Sequence, residues 1–253
     1  MSQENTIGVL SAKLSKEDYE KLSAISHPEV IQFIIDADQL CEPERIFICS
    51  DASEDLAHIQ KQAIATREET PLELSGHTYH FDGSYDQGRD RKNTKFLVPR
   101  GESLSANLNQ VDRDEGLREI QELLKGSMGG KTMIVRFLTL GPANSPFTLP
   151  CMECTDSWYV AHSVSLLYRP GYETFRNIGR DTEIFYTLHS AGRLNEKMVS
   201  MDYEKKRIYI DYKKNMVYSV NTQYAGNSVG FKKLALRLAI RKAHQEELSL
   251  IHI

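Results

Sequence analysis

The sequence predicts a mixed α/β domain, with helices packed on a central sheet. Three observations carry that expectation. Arg45–Cys49 (RIFIC) reads as a short buried strand and is followed after a short turn by a helical stretch, 53–66, which together make a βα unit. Lys131–Leu140 (KTMIVRFLTL) reads as a central strand. Ile208–Tyr212 and Met216–Val220 flank Lys213-Lys214-Asn215 and read as a hairpin. The remaining elements follow in order. Ser15 heads a helix as its cap, with Glu17 and Asp18 at the positive end of the dipole. Pro28 suits a first helical turn, and Val30, Ile31, Phe33, Ile34 and Leu40 give the stretch to Leu40 an apolar face. Within 53–66, Leu56, Ile59 and Ala63 fall at helical spacing. The polar stretch 70–109 has room for two short strands, Thr78–Phe81 and Lys95–Val98. Arg113–Lys125 is amphipathic and ends near Gly126. Trp158–Tyr168 reads as a second long strand, and a last helix as running from about Gly230 to Leu248.

Composition excludes several classes. The chain has 253 residues, 31 Lys plus Arg against 35 Asp plus Glu, and a formal net charge of -4. That balance disfavours nucleic acid as a partner. Hydrophobic residues at 40% and charged residues at 26% fit a soluble globular chain. No apolar run approaches the roughly 20 residues that span a bilayer, so no membrane role is expected. MSQENTIGVL lacks the basic and apolar regions of a signal peptide, and four cysteines in this length make no disulfide scaffold. A cytoplasmic protein is expected.

Five features could carry chemistry. Cys151-Met152-Glu153-Cys154 is a CxxC without a matched second pair, so it stands as either two buried thiols or half of a zinc site. His77 and His80 could share a face, and His189 follows the apolar run from Ile184 to Leu188. Arg89, Arg91 and Lys92 cluster in a polar loop beside Gly88, either solvated or clamping an anion with the planar guanidinium fork. Gly141-Pro142-Ala143-Asn144-Ser145-Pro146 follows the central strand, where α/β sheets place ligands, though a plain turn fits equally. Tyr224-Ala225-Gly226-Asn227-Ser228-Val229-Gly230-Phe231-Lys232-Lys233 runs from a strand end through small residues into a helix, a geometry that aims backbone N–H groups at an anion. Lys232 and Lys233 repel each other, and burial beside a like charge lowers a lysine pKa until the neutral amine can bind a metal. The alternative is two solvated lysines opening a basic helix that also carries Arg237, Arg241 and Lys242.

Three separated segments together resemble the GTP-dependent class of phosphoenolpyruvate carboxykinases. The run from Gly141 to Pro146, then Thr155-Asp156-Ser157-Trp158-Tyr159-Val160, resembles that family's "FSMGPxGSP…LTDSxYVVAS". Leu188-His189-Ser190-Ala191-Gly192 resembles "LHSVG", and Tyr224 to Lys233 resembles "YGGNSLLGKK". Order and spacing match from about Gly130 to Glu247. Ala225 stands where the family has glycine, Gly230-Phe231 where Leu-Gly is usual, and Trp158 where a small residue or proline is common.

The resemblance implies the family's N-terminal, substrate-binding domain over 1–247, followed by a tail, 248–253, that does not match. It implies decarboxylation of oxaloacetate and phosphorylation of the enolate, giving phosphoenolpyruvate and CO2. Arg89, five residues before Thr94, would clamp the substrate carboxylate. Tyr224, Gly226 and Asn227 would line the substrate site. Lys232 would contact the transferring phosphate, and Lys233 would be a ligand of Mn2+. GTP or GDP and the other metal ligands would belong to a second domain outside this chain, so the chain alone is expected to be inactive and a monomeric parent is admitted. A pyrophosphate-using relative and a non-catalytic anion-binding module are the alternatives.

Overall fold

A computed structural model describes residues 6–86, 92–141, 145, 148–223 and 240. The first helix, α1 (Lys16–Ser23), begins where expected: Ser15 accepts from the Asp18 backbone N–H. The next, α2 (Pro28–Cys41), takes Pro28 in its first turn and buries Val30, Ile31, Ile34 and Ile35. Strand β1 (Arg45–Cys49) and helix α3 (Ser53–Ala65) make the expected βα unit. Short strands β2 (Thr70–Pro71) and β3 (Thr78–Tyr79) pair as a separate ribbon. Then come β4 (Thr94–Val98), β5 (Gln110–Asp112) and α4 (Arg113–Leu124), whose N-terminus is capped by the Asp112 carboxylate. The central strand is β6 (Thr132–Leu140). After it lie β7 (Leu149–Thr155), α5 (Trp158–Leu167), β8 (Arg169–Pro170), α6 (Tyr172–Asn177), β9 (Phe185–Ser190), β10 (Arg207–Asp211) and β11 (Met216–Val220).

The segment expected as a strand from Trp158 is helix α5. Its valines and aromatics favour strands by propensity, but local chemistry decides otherwise. Ser157 caps the helix by accepting from the Val160 N–H at 3.2 Å. The buried Glu68 carboxylate accepts from the Ser157 hydroxyl and from the backbone N–H groups of Trp158 and Tyr159. Val160, Ala161 and Val164 then share the buried face. Strands β7 and β9 were not expected. The final helix expected from Gly230 lies outside the described residues except at Ile240, which is helical.

Among the described residues nine strands form one sheet, in the order β1-β6-β7-β9-β11-β10-β4-β5, with β8 beside β6. Strands β7, β9 and β11 run parallel to one another and antiparallel to β6 and β10. Their C-terminal ends therefore gather at one rim, joined by the N-terminal ends of β6 and β10. One face packs Met133, Val135, Met152, Cys154, Leu188 and Tyr209 with α2 and α4; the other packs Leu138, Cys151, Phe185 and Val217 with α5. Among the described residues no helix is long and apolar enough to cross a membrane.

The CxxC is thereby resolved. Cys151 and Cys154 sit three apart on β7, so they point to opposite faces and enter different core clusters. That removes the zinc alternative, and burial pushes both thiols well above their ordinary value.

The α5 face also buries charge. Arg136, Glu153 and Thr187 stand in register on β6, β7 and β9. Arg136 donates to the Cys49 Sγ at 3.1 Å and to the Ser165 Oγ at 2.8 Å. Arg136 Nε, Glu153 Oε2, Thr187 Oγ1 and Ser219 Oγ have no partner among the described residues. Burial pushes the Glu153 carboxyl up to about 8, with Arg136 offsetting part of the rise. A carboxyl raised in the fold favours the protonated state, so its contribution is full below the unfolded value of 4.5 and is lost as pH climbs through about 8. Glu153→Gln should therefore be more stable than the parent at pH 8, by about 2–4 kcal/mol, with the difference vanishing near pH 4. Urea unfolding at several pH values reads this directly.

Candidate functional site at the strand-end rim

The residues that follow β7, β9 and β11 are Asp156-Ser157, Ala191-Gly192 and Asn221-Thr222-Gln223. Parallel strand ends leave backbone groups needing partners, and here side chains supply them. Asp156, its side chain fully buried, accepts from the Ser190 Oγ at 2.7 Å, from the Ala191 N–H at 2.7 Å and from the Lys131 Nζ at 2.6 Å. Lys131, just before β6, also donates to the Gly192 carbonyl at 2.7 Å. One lysine and one carboxylate thus tie the starts and ends of three strands.

His189 sits at the end of β9 with no exposed surface. Its Nε2 lies 2.8 Å from the Thr222 carbonyl, which can only accept, so Nε2 carries the proton. Its Nδ1 then accepts from the Thr155 hydroxyl at 2.6 Å. Burial pushes the imidazole below its ordinary pKa and keeps it neutral.

Asp86 makes the third tie. It accepts from the Thr222 Oγ1 at 2.5 Å and from the Gln223 N–H at 2.6 Å. Lys206, just before β10, is buried 3.5 Å away and donates to the Tyr85 carbonyl at 2.8 Å. The buried Gln223 Nε2 has no partner among the described residues.

All six residues singled out for the site, Arg89, Tyr224, Gly226, Asn227, Lys232 and Lys233, lie outside the described residues. What the structure does give is their flanks. Asp86, which precedes 87–91, touches Thr222 and Gln223, which precede Tyr224. The turn at Gly141 is different: it follows β6 opposite the start of β7, so Gly141 lies at the other rim. His80 does not pair with His77; its Nδ1 meets the Glu68 carbonyl at 2.6 Å and its ring stacks on Tyr159 at 3.7 Å. Among the described residues no group of three or more His, Cys, Asp or Glu could hold a metal ion.

The sequence reading passed over Lys131, Asp156, Asp86, Lys206 and Thr222. Asp156 was visible inside Thr155-Asp156-Ser157, a helix-capping run, and Asp86 opens the basic loop. A cleft of about 910 Å³ lies elsewhere, where β9 and β11 begin, lined by Phe33, Tyr186 and Tyr218. Two of the charges on its wall are paired, Arg113 with Asp211 and Lys213 with Glu102, and Glu29, Arg180, Asp181 and Lys214 line it as well. The rim is the preferred candidate because the flanks of the arginine and lysine segments meet there.

Comparison with known proteins agrees with the resemblance. The family model described as the phosphoenolpyruvate carboxykinase N-terminal domain matches residues 32–244. The chain belongs to this family. A phosphoenolpyruvate carboxykinase [GTP] of Thermococcus kodakarensis is 48% identical over 242 residues, 96% of this chain and 39% of the relative. That of Pyrococcus horikoshii is 48% identical over 233 residues, 92% and 37%. That of Saccharolobus solfataricus is 42% identical over 242 residues, 96% and 38%. The chain thus spans under two fifths of the length of the curated relatives it matches.

At the rim, Gly192 has φ +69°, and an added Cβ would lie 2.2 Å from the Asn221 Oδ1. Gly192→Ala should cost about 1–3 kcal/mol of stability by denaturant unfolding. Adding Asn221→Gly should recover part of that loss, because glycine tolerates the φ of +60° at 221 and removes the clashing amide.

Proposed function

We propose that this chain is the N-terminal, substrate-binding part of a carboxykinase that converts oxaloacetate to phosphoenolpyruvate and CO2, with GTP as phosphoryl donor. Decarboxylation breaks the bond to the departing carboxylate and leaves an enolate, whose oxygen takes the γ-phosphoryl of GTP and releases GDP. In this reading Arg89 clamps the substrate carboxylate, Tyr224, Gly226 and Asn227 line the substrate, and Lys232 meets the transferring phosphoryl group. Lys233 would help hold Mn2+, a Lewis acid for the enolate oxygen. The described residues do not by themselves fit a metal centre. Further ligands, like the nucleotide site, would come from outside this chain.

The observation that carries the reading is the meeting of Asp86 with Thr222 and Gln223, because it brings the flanks of the arginine and lysine segments to one rim. The relatives' names support GTP over pyrophosphate as donor. Four buried free thiols suit a reducing, cytoplasmic compartment, and a monomeric parent remains part of the reading.

The test is Lys233→Ala in a full-length protein that carries this chain as its N-terminal part. Metal-dependent turnover of oxaloacetate should fall by about 100-fold or more with the melting temperature shifted by only a few degrees. A parent with no oxaloacetate-dependent consumption of GTP would instead be a non-catalytic module. The 253-residue chain by itself should show no turnover.

A further inference from the structure

We propose that Asp86 is a positioning residue that anchors the two substrate-binding segments to a common point; the inference rests on the carboxykinase reading above. Arg89 follows Asp86 by three residues in the sequence. Tyr224 follows Gln223 directly. Asp86 and Gln223 are joined by a hydrogen bond of 2.6 Å from the Gln223 N–H, and the Thr222 hydroxyl donates to the other carboxylate oxygen at 2.5 Å. The two segments, more than 130 residues apart in sequence, therefore start from one knot.

The knot is built to hold. Asp86, Thr222, Gln223 and Lys206 are all buried. Both carboxylate oxygens are used, and Lys206 lies 3.5 Å from one of them. Thr222 is gripped a second time through its carbonyl by His189 Nε2 at 2.8 Å. Asn221 is fixed by its N–H to the Ser190 carbonyl at 3.0 Å and by its side chain to the Lys205 carbonyl at 3.2 Å. A carboxylate is needed because it alone can accept from a hydroxyl and an amide at once while balancing a buried ammonium. An asparagine in its place presents one acceptor and two donors. A misplacement of about 1 Å in a group that orients substrate costs roughly 100-fold in rate, so a knot at this point acts on catalysis without touching the reacting atoms.

The experiment compares Asp86→Asn, Thr222→Val and the double variant in a full-length protein carrying this chain. The readouts are KM and kcat for oxaloacetate, melting temperature, and hydrogen exchange of the Gln223 amide. Asp86→Asn should raise KM by about 10- to 100-fold and speed Gln223 exchange by at least about tenfold. Thr222→Val, which removes one bond and is the milder change should Asp86→Asn fail to fold, should raise KM less. The double variant should be no worse than Asp86→Asn alone, since both act on one contact. A residue that served only stability would lower the melting temperature and the folded fraction and leave KM where it was. KM within twofold of the parent in folded variants, or unchanged Gln223 exchange, overturns the proposal. A parent that turns over no oxaloacetate removes the carboxykinase reading and this inference with it, whereas an active parent with unmoved variants removes this inference alone.

Discussion

Two buried carboxylates, each facing a lysine, hold the rim on which the rest of the molecule depends: Asp156 with Lys131 and Asp86 with Lys206. The lysines stand just before β6 and β10, and the carboxylates bind the ends of β9 and β11, strands that run antiparallel to those two. Burying an unpaired charge would be prohibitive, and burying a paired one is neutral at best unless its remaining lone pairs are used. Here they are used on backbone N–H groups and hydroxyls at the strand ends. The charge pairs therefore specify where β9 and β11 stop and in which direction the chain leaves them.

The opposite economy holds a few residues down the same strands. Arg136, Glu153, Thr187 and Ser219 lie under the α5 face with polar atoms unpartnered among the described residues. Each such atom loses water without gaining a bond. Glu153 responds by staying protonated toward neutral pH, as its carboxyl shifted to about 8 implies. The rim's two carboxylates have both oxygens in use, while the sheet face beneath keeps several polar atoms unpartnered among the described residues.

Much of this fold was legible in the sequence, and what was missed was missed for identifiable reasons. β1, β6 and the β10–β11 hairpin are apolar runs bounded by turn residues, so periodicity finds them. β7 hid behind Pro150 and a CxxC that looked like a motif, and β9 behind Thr187 and His189, polar residues whose burial makes sense only once neighbouring strands are known. α5 was misread because Trp158, Tyr159 and Val160 favour strands, while the deciding signal was the cap at Ser157 and a glutamate about 90 residues upstream. The resemblance found the lysine segment from local motifs. The contacts that anchor it could not be found that way: Asp86 and Gln223 are 137 residues apart, and nothing local to either marks the pairing.

Substrate is proposed to bind where β9 and β11 end, between the segments flanked by Asp86 and Gln223. The direct measurement is a crystal structure of a full-length protein carrying this chain, with phosphoenolpyruvate bound. The account predicts ligand density beyond the ends of β9 and β11, with Arg89 and Lys232 touching its charged groups. Density instead in the cleft beside Phe33 and Tyr186, at the opposite ends of those strands, would contradict it.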